Sequence, residues 1–251
     1  MLNYPVLFFP LSLLVLWLSA RVGTLLRSRW PLTGEEREDF GFVQAAALTL
    51  LGLIIGFSFS MATGRYDQRR NYEEAEANAI GTEYVRAGLL PVSDAARVRA
   101  QLAKYLDLRI SFYLSRNQPE LQRINADTVQ LQAEMWSAIQ IPALAQPTPV
   151  LALVVAGMND VLNSQGYTQA AWWNRIPTAA WALMIAIAIC CSLQIGYGAR
   201  GARVKNRVLL ILPLFVSIAF FLIADIDSPR RGLIQVPPQN LVSLSQSLPE
   251  H

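Results

Sequence analysis

Residues able to make and break bonds are scarce in this chain. It holds one histidine, His251, at its last position, and two cysteines, Cys190 and Cys191, side by side. A Ser–His or Cys–His nucleophile needs a base within hydrogen-bond reach, and only that terminal residue could supply one. Adjacent cysteines form neither a disulfide framework nor a zinc-type spacing. No glycine-rich phosphate loop follows a strand-like segment. The expectation is a protein that is not an enzyme and holds no metal and no cofactor.

Other groupings suit the handling of ions. Arg65, Arg69 and Arg70 cluster at the end of an uncharged run. They read either as interfacial anchors or as an electropositive vestibule, since rings of Arg or Lys are one way a pore attracts anions. Asp67, Glu73, Glu74 and Glu76 follow within a few turns and would blunt that charge, in part through i,i+3 and i,i+4 pairing. Gly52 and Gly56 form a GxxxG pattern, the usual mark of close helix packing. Ser58, Ser60 and Thr63 then give a mixed polar face that suits a protein interior or an aqueous path better than lipid. Asp225 and Asp227 follow another apolar run. At the interface they are simple helix-end residues; any deeper, they would need partners.

The elements that must hold these residues are membrane helices. Four runs carry no charge: 2–20, 40–64, 176–199 and 208–224. A spanning helix needs roughly 17–25 mostly apolar residues, and within hydrocarbon its backbone must satisfy itself. The first run lacks a basic leader segment and reads as a span rather than a cleaved signal. Trp30, Trp172, Trp173 and Trp181 fall near span ends, where amphipathic rings favour the headgroup level. More than half of the charged residues lie in 65–175. That segment reads as an extramembrane helical domain inserted between the second and third spans. The expected class is therefore all-α: spans one and two in 1–64, the domain in 65–175, spans three and four in 176–224, and a C-terminal tail over 225–251 that is loosely ordered after Gly232.

Within the inserted domain, helical spacing continues from the second span to about Leu90, where Pro91 stops it. Ser93 and Asp94 offer a cap for a second helix with Val98, Leu102, Tyr105 and Phe112 on its apolar face. Pro119 starts a third, whose face is Leu121, Ile124, Thr128, Leu131, Met135 and Ala138. Pro142, Pro147 and Pro149 form a break before a fourth helix over 150–162. The uncharged stretch 135–159 leaves a fifth span open as the lesser alternative to a buried core helix. Net charge is +3. The basic excess at span ends reads as membrane orientation, not nucleic-acid binding.

Several of these residues stand in a familiar pattern. Gly56-Phe57, then Arg65-Tyr66, then the Glu-rich helix to Tyr84 and Arg86 resemble the bestrophins. Asn78-Ala79-Ile80-Gly81-Thr82 and the stretch from Asp225-Ile226-Asp227-Ser228-Pro229 through Gly232 resemble a prokaryotic group, the bestrophin-like domain family. The resemblance covers roughly residues 5–236. It implies a homopentameric channel for small inorganic anions in the bacterial inner membrane, with self and the lipid bilayer as partners. It further implies a neck lined by the second span at Thr49, Leu53 and Phe57. Thr49 departs from the apolar pattern of that neck. Arg230-Arg231 replace the usual Phe-Gly, and the acidic calcium-binding run of animal bestrophins is not recognisable. A helical sensor or scaffold without a pore is the competing expectation.

Sidedness is contested. Arg21, Arg27, Arg29 and Arg37 join the first two spans, and Arg200, Arg203, Lys205 and Arg207 join the last two. Charge counting puts both connections in the cytoplasm and the domain outside. The resemblance, with Arg175, Arg230 and Arg231 beside the Arg65 cluster, puts the domain inside and is the reading we favour.

Overall fold

The computed structural model describes residues 4–199 and 206–249. Arg200, Arg203, Lys205 and His251, which enter the sequence argument, lie outside the described residues. The described chain contains eight α-helices and a 3-10 turn, and no strand among the described residues. Four helices are long and apolar enough to cross a membrane. The chain divides into two compact units.

The first unit comprises residues 1–66 and 175–235. It contains α1 (Pro5–Arg29), the first part of α2 (Gly34–Arg86), α6 (Thr178–Gly198) and α7 (Asn206–Asp227). Its core gathers Phe8 and Leu16 of α1, Leu51 and Ala62 of α2, Trp181, Met184 and Ala188 of α6, and Val216, Phe220 and Ile223 of α7. Phe8, Trp181 and Phe220 stack mutually at ring centroid distances of 5.5–6.3 Å. Trp181, in the first turn of α6, is thus packed into the core of this unit. The α1–α6 contact is closest at two glycines. A Cβ on Gly23 would strike the Leu193 carbonyl, and one on Gly196 would strike the Ala20 carbonyl. Missing side chains let two backbones meet, the arrangement that small residues serve between membrane helices.

The second unit comprises residues 67–174 and 236–251. It contains the rest of α2, the 3-10 turn Ala87–Leu89, α3 (Val92–Leu114), α4 (Gln118–Ala145), α5 (Pro149–Trp173) and α8 (Gln239–Ser247). All four apolar residues expected on α3 and all six on α4 are buried. α5 is longer than the sequence indicated, because Ser164, Thr168, Ala171 and Trp172 continue its buried face. Thr148 caps it, its Oγ1 accepting from the Leu151 N–H at 3.3 Å. α3 has no such side-chain cap, and Pro91 itself precedes it. α4 runs through Pro142 and ends at Ala145, before α5 begins at Pro149, so no single helix covers 135–159. Trp172 stacks edge-on against Phe112 and Tyr113, which makes it a core residue of this unit.

The tail also departs from expectation. Residues 239–247 form α8, with Leu241 fully buried. The Glu73 carboxylate accepts from the N–H groups of Asn240 and Leu241 at 2.9 and 3.0 Å, and from Asn240 Nδ2 at 2.6 Å. A carboxylate there satisfies otherwise orphaned donors at the positive end of the helix dipole.

Candidate functional site

The second span is set apart by how little of it the chain covers. In the apolar stretch of α2 only 6% of positions are buried, against 50% in α7. Leu51, Ser58 and Ala62 turn inward, while Leu53 and Phe57 are 54% and 65% exposed. Thr49 lies on the same exposed stripe. Positions four apart share a helical face about 6 Å apart along the axis, so Thr49, Leu53 and Phe57 form one row. Thr49 Oγ1 donates to the Ala45 carbonyl at 2.9 Å, which spends its hydroxyl proton inside the helix. Thr63 does the same with Phe59 at 3.0 Å. Ser58 is buried and Ser60 exposed, so the polar face read from sequence divides between two sides of the helix. A Cβ built on Gly52 or Gly56 meets nothing within 4 Å.

The three arginines after this stripe have different fates. Arg65 Nη1 lies 3.4 Å from Asp227 Oδ1, largely buried. Arg69 is 1% exposed and donates to the Ala171 carbonyl at 3.2 Å and the Asn174 carbonyl at 3.1 Å. It closes the C-terminus of α5, where a cation meets both the last carbonyls and the negative end of the dipole. This corrects the vestibule expectation for Arg69: a guanidinium enclosed among carbonyls offers no charge to a mouth in this chain. Arg70, one position on and about 100° around the helix, is exposed.

The two acids in the last turn of α7 are buried and fully engaged. Asp225 accepts from the Leu233 and Ile234 N–H groups at 2.7 and 2.8 Å. The turn between them brings Gly232 against the Asp225 carbonyl, where no Cβ would fit. Asp227 accepts from the Ile176 N–H through both oxygens, at 3.1 and 3.3 Å, besides pairing with Arg65 and more distantly, at 3.9 Å, with Arg175. Both acids thus fix the fold around the start of α6 and the end of α7. No group of three or more His, Cys, Asp or Glu side chains suited to a metal occurs among the described residues.

Glu73 and Glu76, read from sequence as local helix pairs, instead make long-range contacts. Glu73 holds α8. Glu76 meets Arg109 of α3 through Nε at 2.5 Å, with both side chains wholly buried. It also accepts from Thr168 Oγ1 of α5 at 3.1 Å. Such a buried pair depends on further hydrogen bonds; the Thr168 and Tyr113 hydroxyls supply them to Glu76, while Arg109 Nη1 has none. Nothing in local sequence announces these partners, since they lie 33 and 92 residues away.

The comparisons agree with this architecture. The Bestrophin-like domain family model matches residues 6–241. A bacterial bestrophin homolog from Klebsiella pneumoniae, solved as a single-residue variant, is 14% identical, with a TM-score of 0.66 over 95% of this chain and 97% of that one. The same homolog, in a structure phased with zinc, is 15% identical, with a TM-score of 0.63 over 95% and 99%. Identity this low carries the fold alone. No curated protein matches the chain. The family model spans nearly the whole sequence, and the chain belongs to the bestrophin-like domain family.

Proposed function

We propose that copies of this chain assemble, as a pentamer in the bacterial inner membrane, into a passive channel for small inorganic anions, with α2 lining an apolar neck at Thr49, Leu53 and Phe57. The observation that carries this reading is the uncovered row on α2. A span whose apolar residues the chain itself leaves open, beside glycines that meet nothing, fits a face completed by other copies. In the proposal, 65–175 stands outside the bilayer. Arg70 supplies exposed positive charge beyond the neck, and Arg65 contributes charge partly neutralised by Asp227. A narrow apolar ring disfavours continuous water and so resists ions until it widens.

The test is reconstitution of the full chain in planar bilayers. Phe57→Ala is expected to raise anion current, because truncation widens the tightest ring. Arg70→Glu is expected to lower anion preference over cations, since it reverses an exposed charge near the path. Arg65→Glu would set two carboxylates against each other at Asp227 and report on folding instead. Silent bilayers from correctly assembled protein would favour the scaffold reading.

A further inference from the structure

One buried side chain of the second unit has no structural partner. Glu83 of α2 is completely buried, yet neither carboxylate oxygen has a hydrogen bond. Glu73 and Glu76 on the same helix show what buried carboxylates ordinarily require: three donors for the first, and a guanidinium with hydroxyls for the second. Glu83 lies against α5. Its Oε2 occupies the place where a side chain on Gly157 would begin, so the absence of a Cβ there makes room for the carboxyl. Gly64 marks the end of the uncharged run. Glu83 stands about 28 Å further along α2, well beyond the membrane-spanning part.

The surrounding charges compensate it only in part. Arg86, the next turn along, brings Nη1 to 2.7 Å from that same Gly157 position but forms no ion pair with Glu83. Its hydrogen bond goes instead to the Leu153 carbonyl, at 3.5 Å. Asp160 of α5 adds a second negative group. From α3, Arg99 is committed to the Tyr84 carbonyl at 3.2 Å. An ionised carboxylate without partners in this setting is far more costly than a neutral acid.

We infer that Glu83 is a proton-binding site that switches the second unit: protonated, it lets α5 lie directly on α2 at Gly157, and loss of its proton to bulk base draws Arg86 from the Leu153 carbonyl and loosens that contact. Burial pushes the carboxyl up to about 8, with Arg86 opposing and Asp160 adding to the rise. The unfolded chain releases this proton near 4.5 and the folded chain near 8. Between those values the unfolded state binds fewer protons, so stability falls as pH rises through the window and levels off above it. The inference holds whether or not the protein conducts.

Infrared difference spectroscopy and hydrogen exchange on the full chain test it. Wild-type protein should show a protonated-carboxyl band at pH 7 that disappears by pH 10, and Glu83→Gln should lack it. Between pH 6 and 9, after correction for intrinsic rates, exchange in Pro149–Trp173 should rise by up to about a hundredfold, because roughly two pH units of the window lie in that range. It should stay level in Glu83→Gln. No band at pH 7, or the same band in the variant, overturns the site. Unchanged wild-type exchange across the window overturns the switch, and that measurement stands even if the variant does not fold.

Discussion

Two pairs of glycines in the membrane-helix unit have opposite surroundings. Gly23 and Gly196 sit where α1 and α6 touch backbone to backbone, and a single added carbon on either would collide with a carbonyl of the other helix. Gly52 and Gly56 on α2 meet nothing. Glycine in a helix interior costs about 0.5–1 kcal/mol relative to alanine. For the first pair, close approach within the chain offsets that cost. For the second pair the chain offers no compensation, which points to a contact supplied from outside it. The fold's internal packing and its proposed assembly therefore use the same residue type on different helices.

The largest expected effect follows from the enclosed pair. Gly196→Ala should force α1 and α6 apart, because the obstacle is the Ala20 backbone and not a flexible side chain. Overpacking of this kind costs about 1–3 kcal/mol. In thermal unfolding of detergent-solubilised protein the midpoint should drop by roughly 2–4 °C for each kcal/mol. An unchanged midpoint would mean that the α1–α6 approach is looser than described.

A smaller change in stability, with a clearer change in assembly, is expected from the open pair. Gly56→Leu should leave the folded single chain intact and reduce the oligomer, as read by native mass spectrometry. An oligomer that survives this substitution would turn the α2 face toward lipid and remove the main support for the channel. In the second unit, Glu73→Gln should loosen α8, since it removes the charge that faces three donors. Losing a charged hydrogen-bond partner costs on the order of 1.5–3 kcal/mol locally. Faster exchange confined to Gln239–Ser247 would report it.

How far the sequence could be read depended on contrast. On α3 and α4 the apolar faces stood out against charged ones, and every residue expected on them is buried. In the membrane helices nearly every position is apolar, so periodicity no longer marks which side meets protein. The GxxxG on α2 was visible, whereas the glycines that close the α1–α6 contact are on separate helices and share no local pattern. Arg69 and Arg70 show the same limit. They are neighbours of one type, yet one closes α5 and the other faces outward, because a rotation of about 100° decides between them. Asp225 and Asp227 were legible as a motif, but apart from Arg65 and Arg175 at Asp227 their partners are backbone N–H groups, which no side-chain pattern encodes.

The smallest predicted effect sharpens the glycine comparison most. Gly52→Ala and Gly56→Ala add one carbon each at places where nothing lies within 4 Å in the chain. In a dispersed single chain each should stabilise α2 by about 0.5–1 kcal/mol, since alanine loses less backbone freedom than glycine on becoming helical. The midpoint should then rise by roughly 1–4 °C. In the assembled protein the same carbon would enter the space between neighbouring helices, and the midpoint should fall instead. The sign of the change, measured on both forms of the same variant, thus identifies what faces the stripe. A rise in both forms would leave these glycines facing lipid or an open path, and a fall only on assembly would put another helix against them.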